Sequence, residues 1–143
     1  MKRSRMKRRA PAKAELSPEE ERARAAWHAA TARDRACAHC GRRNGKLFGH
    51  HVVLARHVRA AGGDVWDLRN RLGVLHDCHM AHHQGGLDQR FDQTMLRPEN
   101  IDFAYELLGD GAQEYLDKHY PRTPVSRADK WKAGSLDASA RCQ

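Results

Sequence analysis

The chain has few of the residues that build apolar cores. Leu, Ile, Val and Phe make up 22 of its 143 residues, about 15%, below the ~20% at which charged chains tend toward disorder. One compact domain of ~100–150 residues is the most this length allows, and so small an apolar core needs another source of folding free energy. Bound metal is one candidate, because structural zinc contributes to folding outright in small domains. No apolar run approaches the ~18 residues that span a bilayer, and the basic start MKRSRMKRRAPAK is followed by no hydrophobic segment. Membrane insertion and secretion are therefore not expected, and the cytoplasm is the expected compartment. Cysteine is also scarce: four residues, two of them in Cys37-x-x-Cys40, a pattern that in a reducing compartment points to metal ligands or redox thiols rather than a disulfide framework.

What is abundant is positive charge and histidine. A formal charge of +8 and a pI near 9.7 favour a polyanionic partner, most simply DNA or RNA, through displacement of counterions from phosphates. Residues 1–15 read as a basic disordered arm that either lies along phosphates or is a solvated tail. Seven of the ten histidines fall between residues 50 and 83, including the doublets His50-His51 and His82-His83.

Local patterns predict the elements around those doublets. Ser17, Pro18 and Glu20 form a Ser-x-x-Glu helix start, with Glu19, Glu20 and Glu21 suited to the positive end of the helix dipole. Ala23, Ala26, Trp27 and Ala30 follow at helical spacing, which makes Trp27 a packing anchor. KLFGHHVVL (46–54) and RLGVL (71–75) read as strands, separated by a loop marked by AAGGD (60–64). HDCHMAHHQ (76–84) reads as a helix that stops at Gly85-Gly86. A helix pair over 98–120, broken at GDG (109–111), places Ile101, Tyr105 and Leu108 on one face and Tyr115, Leu116 and His119 on another, and supplies core that the rest lacks. Residues 121–143 are polar and read as a flexible tail. The middle third is thus strand, loop, strand, helix.

On a helix, residues i and i+4 share a face, so His79 and His83 can offer two imidazoles to one ion, while Cys78 and His82 form a second stripe rotated by one residue. One helix can therefore serve two metal groups. On a strand, neighbours point to opposite faces, so His50 and His51 must have separate roles. One can ligate a metal held by the helix; the other remains free to accept a proton near neutral pH.

The order GHH, then Asn70 in DLRNRLGVL, then CHMAHH resembles the HNH endonuclease family, and the small HNH proteins of bacteriophages in particular. The resemblance implies an α+β fold with a small ββα-metal (His-Me finger) core at 37–84, within a nuclease domain at 16–120 that also holds an N-terminal helix and the helix pair at 98–120. It implies a metal-dependent endonuclease acting on DNA, with His51 as general base and Asn70 positioning the loop and the base imidazole. His50, His79 and His83 would bind one catalytic divalent ion, whether Mg, Mn, Ni, Co or Zn. By the same resemblance a role beside phage terminase or packaging proteins is expected, in the host cytoplasm.

The family's structural zinc is usually held by two Cys-x-x-Cys pairs, and here Leu75 stands where one of those cysteines is expected. Cys37, Cys40 and Cys78 remain, and His82 is the chosen fourth ligand, ahead of His76, His39 and Cys142. The other reading is that zinc is lost and the cysteines are buried thiols. His82 and His83 also compete for the catalytic ion, since both lie near the face of His79. Arg42, Arg56 and Arg69 are basic residues near the site with no role assigned. The alternative function is a zinc-dependent DNA-binding module that does not cleave; a Cys-x-x-Cys redox protein lacks its βαβ context.

Overall fold

The computed structural model describes residues 14–85 and 89–122. The basic arm lies outside the described residues except for 14 and 15, as does the tail beyond residue 122. The chain is α+β, in the order α1 (Pro18–Arg33), β1 (Leu47–His51), α2 (Ala55–Ala60), β2 (Arg71–Leu75), α3 (His76–Gln84), α4 (Pro98–Leu108) and α5 (Ala112–His119). Among the described residues no helix is long and apolar enough to cross a membrane.

The start of α1 follows from its sequence. The Ser17 side chain accepts the Glu20 N–H at 3.2 Å, and Glu20 accepts the Ser17 N–H at 2.8 Å. The two strands form one antiparallel ribbon in which Gly49 pairs with Gly73, His50 with Leu72 and His51 with Arg71. Because strand neighbours alternate, Gly49, His51, Arg71 and Gly73 share one face, and His50, Leu72 and Val74 the other. The glycine pair lets α1 lie directly on the first face. A Cβ on Gly49 would come within 2.0 Å of the Trp27 ring, and one on Gly73 within 2.3 Å of Asp34 Oδ2. Asp34, just past the end of α1, pairs with the buried Arg71 and, at 3.6 Å, with Arg97 ahead of α4.

The second face carries the core. His50, Leu72 and Val74 are buried with Phe91, Phe103, Leu116 and Tyr120, so α4 and α5 do complete the apolar interior. On α5 the expected Tyr115 and Leu116 are buried, but the buried face of α4 differs from the expected one. Phe103 and Ala104 point inward and Tyr105 is exposed, because the contact is made around the buried Asn100, whose amide donates to the Arg69 and Arg71 carbonyls at 2.6 and 3.2 Å.

Two further differences lie between the strands. β1 ends at His51 rather than continuing to 54: Val52 and Val53 turn into the core, and the Val53 peptide bonds a side chain instead of a strand partner. The expected loop also contains α2, a short helix with no side-chain cap, hence with no sequence signal at its start. β2 and α3 have the expected limits, and α3 follows β2 without an intervening residue.

Gly49→Ala is expected to destabilise the protein by about 1–3 kcal/mol, the cost of overpacking a filled contact, because the Trp27 ring has no room to retreat from the new methyl. Urea unfolding followed by tryptophan fluorescence measures this; an unchanged midpoint would show that α1 does not depend on the glycine pair.

Candidate metal centre

Because β2 runs directly into α3, the first turns of α3 lie beside β1. His79 and His83 stack one turn apart with their Nε2 atoms 3.0 Å from each other, and His50 approaches from the strand with its ring centroid 5.2 Å from His79 and 5.6 Å from His83. One ligand atom from each of the three lies within 4.8 Å of the others, so the group can hold a metal ion. Burial holds His50 well below the ordinary histidine range, and lowers His79 and His83 as well, helped by the positive groups around them. The rings are therefore neutral near pH 7, the form that ligates.

The strand ring has a fixed tautomer. The Tyr120 hydroxyl lies 2.8 Å from His50 Nε2 and 2.8 Å from the Val52 carbonyl. A carbonyl only accepts, so the single hydroxyl proton goes to Val52, and the oxygen accepts from His50 Nε2–H. Nδ1 then carries the lone pair. Tyr120 is 2% exposed, so this pair of bonds is made in the interior.

His51 lies on the other face of the ribbon, stacked on Trp27 at 4.5 Å and 22°, with Trp66 at 5.5 Å. Burial pushes it down to about 4, against a smaller upward pull from a hydrogen bond with the Val65 backbone. Its Nε2 is buried without a partner, so the Val65 bond is made through Nδ1 and Nε2 keeps its lone pair. Asn70, fully buried, holds the turn that follows β1: its Oδ1 accepts the Val53 N–H at 2.7 Å and its Nδ2 donates to the Val53 carbonyl at 2.9 Å. Its bonds go to the peptide two residues beyond His51 and not to the imidazole.

The second group is made of sulfur. Cys37, Cys40 and Cys78 are buried, with their Sγ atoms within 4.8 Å of one another, and can hold a metal ion such as zinc. The knuckle is tightly closed: Cys37 N–H donates to the Arg42 carbonyl at 2.9 Å, Gly41 N–H to the Cys37 carbonyl at 2.9 Å, and Gly41 takes φ +75°. Leu75 N–H donates to Cys37 Sγ at 3.3 Å, so Leu75 serves the site through its backbone. A hydrogen bond from the Cys78 thiol lowers Cys37 to about 6, while the same bond and burial push Cys78 upward. Cys37 and Cys78 are free thiols and Cys40 is disulfide-bonded, so the three-thiolate set belongs to the reduced chain.

His82 is not brought to the cysteines. Its Nδ1 accepts the Phe91 N–H at 2.9 Å, and its ring stacks on Phe91 at 4.2 Å and 10°. It faces the histidine side, 5.1 Å from His50. The reason is the rotation of α3: Cys78 turns inward, and the residue one turn later meets the segment that returns after the helix. His83, not His82, joins His79 and His50. Cys142 lies outside the described residues.

Sequence reasoning missed Tyr120, Phe91 and Asn100. Each acts through a contact distant in sequence, so no local spacing announces it. Trp27 was legible as a packing anchor, but its stack on His51 was not.

Tyr120→Phe removes the acceptor that fixes His50 while keeping the ring, and is expected to weaken cobalt binding at the histidine group by about 10-fold or more, the usual effect of losing a ligand's outer hydrogen bond. Tyr115→Phe, which loses a hydroxyl bonded to Leu54 N–H at 2.9 Å, is the control and should leave cobalt affinity unchanged. Cys78→Ser is expected to remove one equivalent of tightly held zinc from the reduced protein, measured by elemental analysis, with cobalt binding at the histidines retained. No protein family, curated protein or solved structure matches the chain.

Proposed function

We propose that this protein is a metal-dependent endonuclease that hydrolyses DNA phosphodiester bonds, with a ββα-metal core of the HNH kind at residues 37–84. The observation that carries this reading is a division of labour between adjacent strand residues. His50 is a buried ring grouped with His79 and His83, its lone pair fixed on Nδ1, and His51 keeps an unpartnered Nε2. A protein that only binds DNA around a structural metal has no use for the second imidazole.

His51 acts as general base. Neutral at pH 7 through burial, it takes the proton of the water that attacks phosphorus, and the negative phosphodiester beside it raises its proton affinity as substrate binds. Nε2 is covered in the free protein, so water reaches it only when a neighbour moves; half-buried Trp66 and exposed His28 are the side chains with room to do so. Trp27 holds the ring plane, and Asn70 holds the turn after β1. A divalent ion on His50, His79 and His83 would supply charge stabilisation for the phosphorane oxygens and the leaving 3′ oxygen. The +8 formal charge supports a polyanionic substrate.

The test is plasmid cleavage with manganese, magnesium, nickel or zinc, with and without EDTA. Wild type should cleave only with metal, and His51→Ala should lower the rate by ~10²–10⁴-fold with cobalt binding intact. Undiminished cleavage by His51→Ala would remove the base assignment. Salt-dependent DNA binding with no cleavage under any metal would favour a binding module instead.

A further inference from the structure

Beside the histidine group, on its α5 side, is a small cavity of about 90 Å³ whose walls include His50, His82, His83, Arg90, His119 and Tyr120. A cavity of this size admits a phosphoryl group. Among the described residues no carboxylate lines it.

Arg90 is its formal positive charge. The side chain is half-buried and makes no ion pair or hydrogen bond with any described residue, whereas Arg69, Arg71, Arg97 and Arg122 each pair with a carboxylate. A half-buried guanidinium with no described carboxylate beside it is suited to pair with an anion. His82 adds a donor of fixed direction. Its Nδ1 accepts the Phe91 N–H, so the neutral ring carries its proton on Nε2. That bond also anchors the backbone next to Arg90, tying the charge and the donor to one place. Two of the other walls are already committed: His50 spends its N–H on Tyr120, and the Tyr120 proton goes to Val52.

We propose that this cavity is a phosphate subsite, in which Arg90 and the Nε2–H of His82 hold non-bridging oxygens of a phosphodiester next to the three-histidine group. The anion chemistry stands on the cavity itself; the identity of the occupant as a DNA phosphate rests on the nuclease reading. On this assignment His82 is neither a zinc ligand nor a catalytic-metal ligand but a substrate contact, which accounts for two adjacent histidines on α3 facing different neighbours.

Isothermal titration of the full-length protein with inorganic phosphate and, separately, with dimethyl phosphate tests this. Wild type should bind both, Arg90→Gln should bind each about tenfold more weakly or worse, and Arg90→Lys should recover part of the loss. Cobalt affinity and thermal midpoint should be unchanged in Arg90→Gln, and its plasmid cleavage should show a raised KM. Phosphate binding that is absent in wild type, or equal in Arg90→Gln, would overturn the subsite. Arg90-dependent phosphate binding in a protein that cuts no DNA would keep the subsite and remove the nuclease reading. Binding of inorganic phosphate without dimethyl phosphate would replace the diester by a terminal phosphate as occupant.

Discussion

Everything in this molecule depends on keeping a ribbon of two five-residue strands in one register. An isolated hairpin is marginal in water, and a slip of one residue would exchange the faces of every side chain. Here a slip would send His50 to Trp27 and His51 to α3. The register is held from one side by the glycine pair, over which Trp27 and Asp34 fit, and by the Asp34–Arg71 ion pair. From the ends it is held by buried amides: Asn70 on the Val53 peptide and Asn100 on the carbonyls flanking Asn70. With few aliphatic residues available, polar clamps of fixed geometry do what a larger apolar core does elsewhere.

The same clamps decide the chemistry of the imidazoles. Three histidines around one small region are chemically equivalent until a neighbour takes a particular nitrogen. Tyr120 accepts from His50 Nε2, which leaves Nδ1 as its ligand atom. Phe91 donates to His82 Nδ1, which makes Nε2 a donor. His51 has an unpartnered Nε2 on the opposite face. Each partner is buried and comes from outside the histidine's own element, so the tautomers are properties of the fold rather than of local sequence.

This explains which parts were legible beforehand. The α1 cap, β2 and α3 follow from local rules, namely a Ser-x-x-Glu box, a short apolar run and a helix ended by glycine. The separation of His50 from His51 follows from strand alternation alone, and the convergence of His79 and His83 from helical spacing. His82 was misplaced because helical rotation places it near two possible partners, and only the return of Phe91 chooses between them. The inward face of α4 was misplaced for a related reason. Its hydrophobic periodicity favours Ile101, Tyr105 and Leu108, yet the buried amide of Asn100 sets the orientation, and a lone asparagine carries no periodic signal.

The two ligand groups are not independent. Cys78 and His79 are adjacent on α3, and Cys37 accepts the N–H of Leu75, the last residue of β2, just before that helix. An ion at the cysteines would therefore fix the junction from which His79 and His83 project. In the reduced chain the sulfur group is then a determinant of imidazole spacing as well as of stability. On the proposed nuclease reading, an ion at the cysteines would supply the close placement of ligands that a catalytic ion requires, in place of a large core that the composition cannot supply.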